Sequence, residues 1–229
     1  MARLLLVDDH PIMRRGLALT LGAETDLTVA EQADSGEQAL DLVGRGLDVD
    51  LVVADVSLPG MSGLELVKHL AALRPGLPVL VVSRHDESLY AERALRAGAR
   101  GYVMKLEDPA VLVEAVRRVL RGGVYVSAAI SDRLLLGLSG GANLARQSPA
   151  DLLSDRELEV FEMTGRGIAT RDIAERLHLS VKTVESYRAR IKTKLGLDTA
   201  AELMQHAVTW VKDDSTPTPA DRGLPPEIG

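Results

Sequence analysis

Five times within the first 121 residues a short run of leucine, valine or other strand-forming residues gives way to a longer segment of helical period. That alternation leaves few options besides a parallel sheet covered by helices. The strand-like runs fall at about 3–7, 27–32, 50–54, 79–82 and 101–104, and the helical segments at about 11–22, 36–45, 63–73, 88–97 and 109–121. Helix-start signals support the reading: Asp34 three before Glu37, Ser62 three before Glu65, and Asp108 ahead of Pro109. Five βα units of this size make one doubly wound domain over residues 1–121.

The pattern then changes. Residues 122–149, with "GLSGGANLARQSP", are rich in Gly and Ser and are expected to be a linker. "LSDRE", with Ser154 three before Glu157, opens a segment of helices only, giving a second domain at 150–212. The polar, proline-rich end, 213–229, is expected to be disordered. A chain of 229 residues can hold two such cores. It has no cysteine, which excludes disulfides and thiolate metal sites. No window approaches the roughly 20 apolar residues of a membrane span, and no basic-plus-apolar leader precedes the first strand. The expectation is a soluble cytoplasmic protein with no membrane partner.

In an open parallel sheet, ligands sit beyond the carboxyl ends of the strands, near the point where strand order reverses. Asp8 and Asp9 follow the first strand, Asp55 the third, Ser83 closes the fourth, and Lys105 follows the fifth. Each has an ordinary explanation alone, as a turn, a cap or a solvated charge. Their joint arrival at one edge has none. Three carboxylates converge only if a cation offsets their repulsion, and hard oxygen donors suit Mg²⁺, which also accepts phosphate oxygens.

"VDDHP", "ADVSLPGMSGLEL", "VVSRH" and "AGARGYVMK" together resemble the receiver domain of bacterial two-component response regulators, over residues 2 to 121. The resemblance implies a flavodoxin-like sheet in which Asp55 takes a phosphoryl group from the phosphohistidine of a sensor histidine kinase. It further implies that Asp9, Asp55 and the backbone carbonyl of Ser57 contact the metal while Asp8 holds metal-bound water. Ser83 and Lys105 would bind the phosphoryl group, with Tyr102 as the switch aromatic or, alternatively, ordinary half-buried strand packing. Arg84 and Leu58 depart from the commonest pattern; Arg84, Ser57 and His85 are placed to affect phosphodonor access or phosphoryl lifetime, with an exposed loop residue the favoured reading of His85.

The global charge of −6 disfavours a uniformly basic nucleic-acid binder, yet residues 180–196 hold five Lys and Arg against one Glu. "IATRDIAERLHLSVKTVESYRARIKTKLG" reads as two helices joined by a turn at "HLS", with Ser180 as N-cap and Gly196 past the end. On a helical wheel Val181, Val184, Ile191 and Leu195 share a face, Tyr187 lies at its edge, and Lys182, Glu185, Ser186, Ala189, Arg190 and Thr193 lie opposite. Such a polar face with flanking cations can enter a major groove. Arg188 falls in the apolar arc, where it must pair with an acid or snorkel out.

Residues 152 to about 210 closely resemble the LuxR-type four-helix DNA-binding domain, with Phe161 a mild departure in its core. By that resemblance Glu185, Ser186 and Ala189 face bases, and Lys182, Thr183, Arg190 and Lys192 lie nearer phosphates. The whole chain resembles a response regulator of the NarL/FixJ type. The partners this implies are a sensor histidine kinase, palindromic double-stranded DNA, a second copy of the chain joined through "AAELMQHAVTWV", and RNA polymerase. Two other readings stay open: a metal-dependent phosphohydrolase working through an aspartyl phosphate, and a DNA-binding regulator indifferent to phosphorylation.

Overall fold

The computed structural model describes residues 1–138 and 149–214, which fall into two units divided near Arg146. The first unit runs β1 (Ala2–Val7), α1 (Pro11–Gly22), β2 (Leu27–Ala33), α2 (Gly36–Gly44), β3 (Leu51–Ala54) and α3 (Gly63–Leu73). It continues through β4 (Val79–Ser83), α4 (Glu87–Ala97), β5 (Gly101–Met104), α5 (Pro109–Leu120) and α6 (Ala128–Leu138). The sheet is parallel with order β2-β1-β3-β4-β5, so strand order reverses between β1 and β3.

The central strands are apolar on both faces because helices cover both: Leu4, Leu5 and Leu6 of β1 and Leu51 and Val52 of β3 have no exposed surface. Register then fixes the site. Val7 stands opposite Ala54, so the next residue on each strand, Asp8 and Asp55, leaves the same sheet edge side by side. The Asp55 N–H donates to the Val7 carbonyl at 2.9 Å and locks that step. On the neighbouring pair the Lys105 N–H donates to the Ser83 carbonyl at 2.7 Å.

Ser62 and Glu65 form the expected reciprocal cap of α3, and Asp108 caps α5 through the Ala110 N–H. The cap of α2 is Ser35 and not Asp34: its hydroxyl accepts from the Gln38 N–H, while the Asp34 N–H is held by the Gln38 side chain. Either residue can cap, and one position decides which does.

The stretch expected as linker begins with ordered structure. Tyr125 adds an isolated bridge beside β5, its carbonyl accepting from the Tyr102 N–H at 2.9 Å. Helix α6 is pinned to the first turn of α4, with the Ser127 hydroxyl donating to Glu87 at 2.7 Å and Arg133 donating to the Ser88 carbonyl at 2.9 Å. Ile130 is buried beneath it. The Gly-rich core of the expected linker, 139–148, and the expected disordered residues from 215 onward lie outside the described residues. Asp213 and Asp214 belong to the last helix.

The second unit consists of α7 (Pro149–Leu152), α8 (Asp155–Gly165), α9 (Thr170–Arg176), α10 (Val181–Leu195) and α11 (Ala200–Asp214). Ser154 and Glu157 form the expected capping box. Leu158, Phe161, Ile173, Val184, Ile191 and Ala207 make its core without exposed surface. Gly165 lets α8 approach α11 closely, since a Cβ there would stand 2.3 Å from the Ala207 carbonyl. The apolar stripe of α11 is largely spent within this unit: Leu203 and Ala207 are buried and Trp210 packs on Phe161 with ring centroids 5.4 Å apart. That gives the bulky Phe161 its partner. What this packing leaves at the surface of α11 for the expected dimer contact is Met204, with Val208 and Val211 half-buried.

Two glycines separate packing from propensity. A Cβ on Gly63 would lie 1.8 Å from the Asp55 carbonyl oxygen, whereas one on Gly16, within α1, would meet nothing within 4 Å. Gly63→Ala is expected to lose about 2–3 kcal/mol and to displace Asp55, and Gly16→Ala to gain about 0.5–1 kcal/mol. Urea denaturation of both variants checks this; equal stabilities would show that the α3 start does not constrain the β3 end.

Candidate functional site

The sheet edge gathers four of the expected residues into one ionic cluster. The Lys105 ammonium, 2% exposed, donates to Asp8 Oδ2 at 2.6 Å and to Asp55 Oδ2 at 2.6 Å. Asp8 is 1% and Asp55 5% exposed, so neither carboxylate draws much on water. Burial pushes the Asp55 carboxyl above its ordinary range, and the Lys105 charge opposes that rise. Oxygen or nitrogen ligand atoms of Asp8, Asp9, His10 and Asp55 lie within 4.8 Å of one another.

Charge tests whether a metal fits there. Three aspartates against one lysine leave two negative charges in a largely dry pocket of hard oxygen donors. A divalent cation that prefers oxygen closes that deficit.

His10 is a member of this group that the sequence reading passed over. Its Nδ1 lies 2.6 Å from Asp9 Oδ1 and 3.6 Å from Asp8 Oδ1, and its backbone N–H donates to Asp8 Oδ1 at 2.8 Å. The signal was its adjacency to the two aspartates in "DDHP", where it stands at the N-cap position of α1 without a side-chain cap bond. Arg14, one turn into that helix, donates to the Asp8 carbonyl.

The other expected residues meet at His85, which is therefore no simple exposed loop residue. Its Nε2 lies 2.8 Å from the Ser57 hydroxyl, its backbone N–H donates to Ser83 Oγ at 3.2 Å, and its carbonyl accepts from the Tyr102 hydroxyl at 2.7 Å. Its ring also packs on Tyr90, with centroids 4.5 Å apart. Tyr102 is fully buried rather than half-buried, with its hydroxyl satisfied inside. Arg84 points to solvent. One residue, two beyond Ser83, thus ties the loops after β3 and β4 to the aromatic of β5.

In the second unit α9 and α10 are joined by a four-residue turn in which His178 adopts φ 53°, a conformation uncommon outside glycine. Ser180 caps α10 by accepting from the Thr183 N–H at 3.0 Å, and the two hydroxyls lie 2.8 Å apart. Lys182, Glu185, Ser186, Ala189 and Arg190 are exposed, as the wheel expects, while Thr183 and Lys192 are half-buried. Lys192 donates to the Asp198 carbonyl at 3.2 Å, and Arg190 sits 5.8 Å over the Tyr187 ring. Val184 and Ile191 face the core, but Val181 is 48% exposed because it lies in the first turn, beyond the packing partners. Arg188 turns inward onto the hydroxyls of Thr170 and Thr164 and keeps Glu185 at 3.7 Å.

An acidic receiver-like edge on one unit and a helix-turn-helix on the other describe a signal-input domain with a DNA-binding output. Comparison with known proteins agrees. The family model for the response regulator receiver domain matches residues 4–117, and that for bacterial regulatory proteins of the luxR family matches 151–207. The transcriptional activator protein ExaE of Pseudomonas putida is 42% identical over 208 residues, covering 90% of this chain and 95% of its own length. The transcriptional regulatory protein UhpA of Escherichia coli (strain K12) is 41% identical over 199 residues, covering 86% and 93%. A crystal structure of a LuxR-family two-component response regulator from Aurantimonas sp. SI85-9A1 is 34% identical, covers 61% of this chain and 99% of that one, and has a TM-score of 0.56. This chain belongs to the two-component response regulators that carry a LuxR-type DNA-binding domain, and so to the transcriptional regulators rather than the phosphohydrolases. Among the described residues no helix is long and apolar enough to cross a membrane.

The ion cluster makes a direct prediction. Lys105→Met leaves two buried carboxylates without their cation, and in chelator at neutral pH it should cost about 3–5 kcal/mol. Added Mg²⁺ should recover part of that loss. Chemical denaturation with and without Mg²⁺ reads both; an unchanged midpoint would mean that Lys105 does not balance the pair.

Proposed function

We propose that the chain is a phosphorylation-controlled transcriptional regulator whose phosphoacceptor is Asp55. The observation that carries this is the placement of the Lys105 ammonium 2.6 Å from both Asp8 and Asp55 at the reversal point of the sheet. An Asp55 oxygen attacks the phosphorus of a sensor kinase phosphohistidine; the new O–P bond forms as the P–N bond breaks, and the imidazole leaves with the kinase. Asp9, Asp55 and the backbone carbonyl of Ser57 would hold Mg²⁺, with Asp8 holding metal-bound water, and the ion would supply charge neutralisation at the transferred oxygens. Lys105 moves from its carboxylate partners onto the phosphoryl group. Ser83 turns its hydroxyl from accepting the His85 N–H to donating to a phosphoryl oxygen, which draws the loop after β4 inward. Tyr102, bound to the same His85, holds that loop in its new place.

Consequences for the output follow from what that loop touches. It leads into α4, to whose first turn α6 is hydrogen-bonded, so a shift there reaches the last described helix of the first unit. Helix α10 enters the major groove with Glu185, Ser186 and Ala189 toward base edges and Lys182, Thr183, Arg190 and Lys192 toward phosphates. One such domain reads one half-site, so a palindromic operator takes a homodimer. The protein works in the cytoplasm, and the relative from P. putida, described as a transcriptional activator, supports RNA polymerase as the final partner.

Two measurements test this reading. Full-length protein given acetyl phosphate should gain one phosphoryl mass only with Mg²⁺, Asp55→Asn should gain none, and Asp9→Ala should gain less; labelling in chelator, or of the Asn variant, would remove Asp55 from the role. Lys192→Ala should weaken binding to all duplexes alike, by about 1 kcal/mol, and lower the slope of log affinity against log salt by about one. A variant that altered the preferred sequence instead would place Lys192 at a base. The alternative of a phosphorylation-independent regulator gains support only if Asp55→Asn binds DNA as the unsubstituted chain does.

A further inference from the structure

We infer that Arg188 is a specificity-determining residue of the DNA interface: anchored beneath α10 by two threonine hydroxyls, it supplies the charge that lets the Glu185 carboxylate read a base. The inference rests on the proposal that α10 is the helix that enters the groove.

Glu185 is the one acid among residues 180–196, on a face otherwise made of cations and small polar groups. A carboxylate brought up to a polyanion is repelled by every nearby phosphate, so its presence there needs a reason and a counter-charge. The reason available to it is hydrogen-bond chemistry: a carboxylate only accepts, and the donor it matches in the major groove is the cytosine amino group. The counter-charge is Arg188, one helical step away at i+3.

Arg188 itself lacks full compensation. Its side chain is 19% exposed, its Nη1 donates to Thr170 Oγ1 at 2.6 Å and its Nη2 reaches Thr164 Oγ1 at 3.3 Å. Its Nε is buried without a hydrogen-bond partner. Hydroxyls satisfy donors but cancel no charge, and the one carboxylate near the guanidinium among the described residues is Glu185, at 3.7 Å from Nη1. Two half-satisfied ions on one helix therefore complete each other.

The anchoring makes the pair selective rather than merely attractive. Thr164 lies in α8 and Thr170 opens α9, so the guanidinium is fixed by two other helices before any duplex arrives. Glu185, 57% exposed, borders a cleft of about 250 Å³ that it shares with Arg188, Ala189 and Lys192, which leaves its carboxylate room to swing. When the duplex excludes water from this cleft, the Arg188 charge holds the carboxylate in its acceptor position and strengthens as screening falls.

The test is selection of bound sequences from a randomised duplex pool by the full-length chain with acetyl phosphate and Mg²⁺. The unsubstituted chain should enrich a motif with cytosine at one position of each half-site. Glu185→Ala should flatten that position by about tenfold, as loss of a direct base contact does. Arg188→Gln, which keeps donors for the threonines but loses the charge, should flatten the same position by about threefold or more, and Arg188→Lys, which keeps the charge but not the two-point anchor, should restore it in part. The double variant Glu185→Ala with Arg188→Gln should be no flatter than Glu185→Ala alone. A second variant, Thr164→Val with Thr170→Val, keeps the guanidinium, frees it from its anchors, and should flatten the same position. If Glu185→Ala alters the motif while the folded Arg188 and threonine variants leave it intact, the inference is overturned and the groove assignment stands. If Glu185→Ala leaves the motif unchanged, the groove assignment of Glu185 fails and the inference falls with it.

Discussion

The first unit turns on one ammonium group held between two buried carboxylates. Lys105 reaches Asp8 and Asp55 at 2.6 Å each, and without it the reversal point of the sheet would concentrate negative charge where water has little access. The lysine alone leaves the cluster two charges short of neutrality. A site stable but incompletely balanced is suited to accept a divalent cation and then to rearrange when a dianionic phosphoryl group arrives. The same pairs that hold the resting site together are the ones the proposed chemistry must break.

Backbone register brings these side chains together. Val7 opposite Ala54 sets Asp8 beside Asp55, and Ser83 paired with Met104 places Lys105 next along the edge. Gly63 lets the start of α3 press against the Asp55 carbonyl, so Asp55 is braced from behind. A second assembly surrounds His85, which joins Ser57, Ser83 and Tyr102 through three different atoms. It lies between the ionic cluster and α4, and α4 in turn carries α6. The ionic cluster and the His85 assembly meet through the backbone, where the Lys105 N–H donates to the Ser83 carbonyl.

Strand and helix identity in the first unit was legible in the sequence because doubly covered strands read as continuous apolar runs and the helices open on recognisable caps. The aspartates and Lys105 were legible for the same reason: charged residues directly after apolar runs have few other places to go. The readings that failed share a cause. The choice of Ser35 over Asp34 and the inward partners of His85 depend on which neighbour is within reach, and local pattern does not carry that. Helix α6 was hidden in a stretch whose Gly-rich end coloured the whole, although Ser127 offers its first turn a cap through the Ile130 N–H. His10 and His85 were visible as letters. Their importance lies in partners that the fold supplies, and His85's are 28 and 17 residues away in sequence.

In the proposed mechanism the state of Asp55 governs DNA binding by the second unit. The most direct measurement is a genome-wide map of DNA occupancy in the cells that make this protein, comparing the unsubstituted chain with Asp55→Asn at equal abundance under conditions that activate the kinase. A discrete set of palindromic sites occupied by the unsubstituted chain and lost or strongly reduced in the variant is the expected result. The same sites at the same occupancy in both would contradict it and leave the acidic edge without a part in DNA binding.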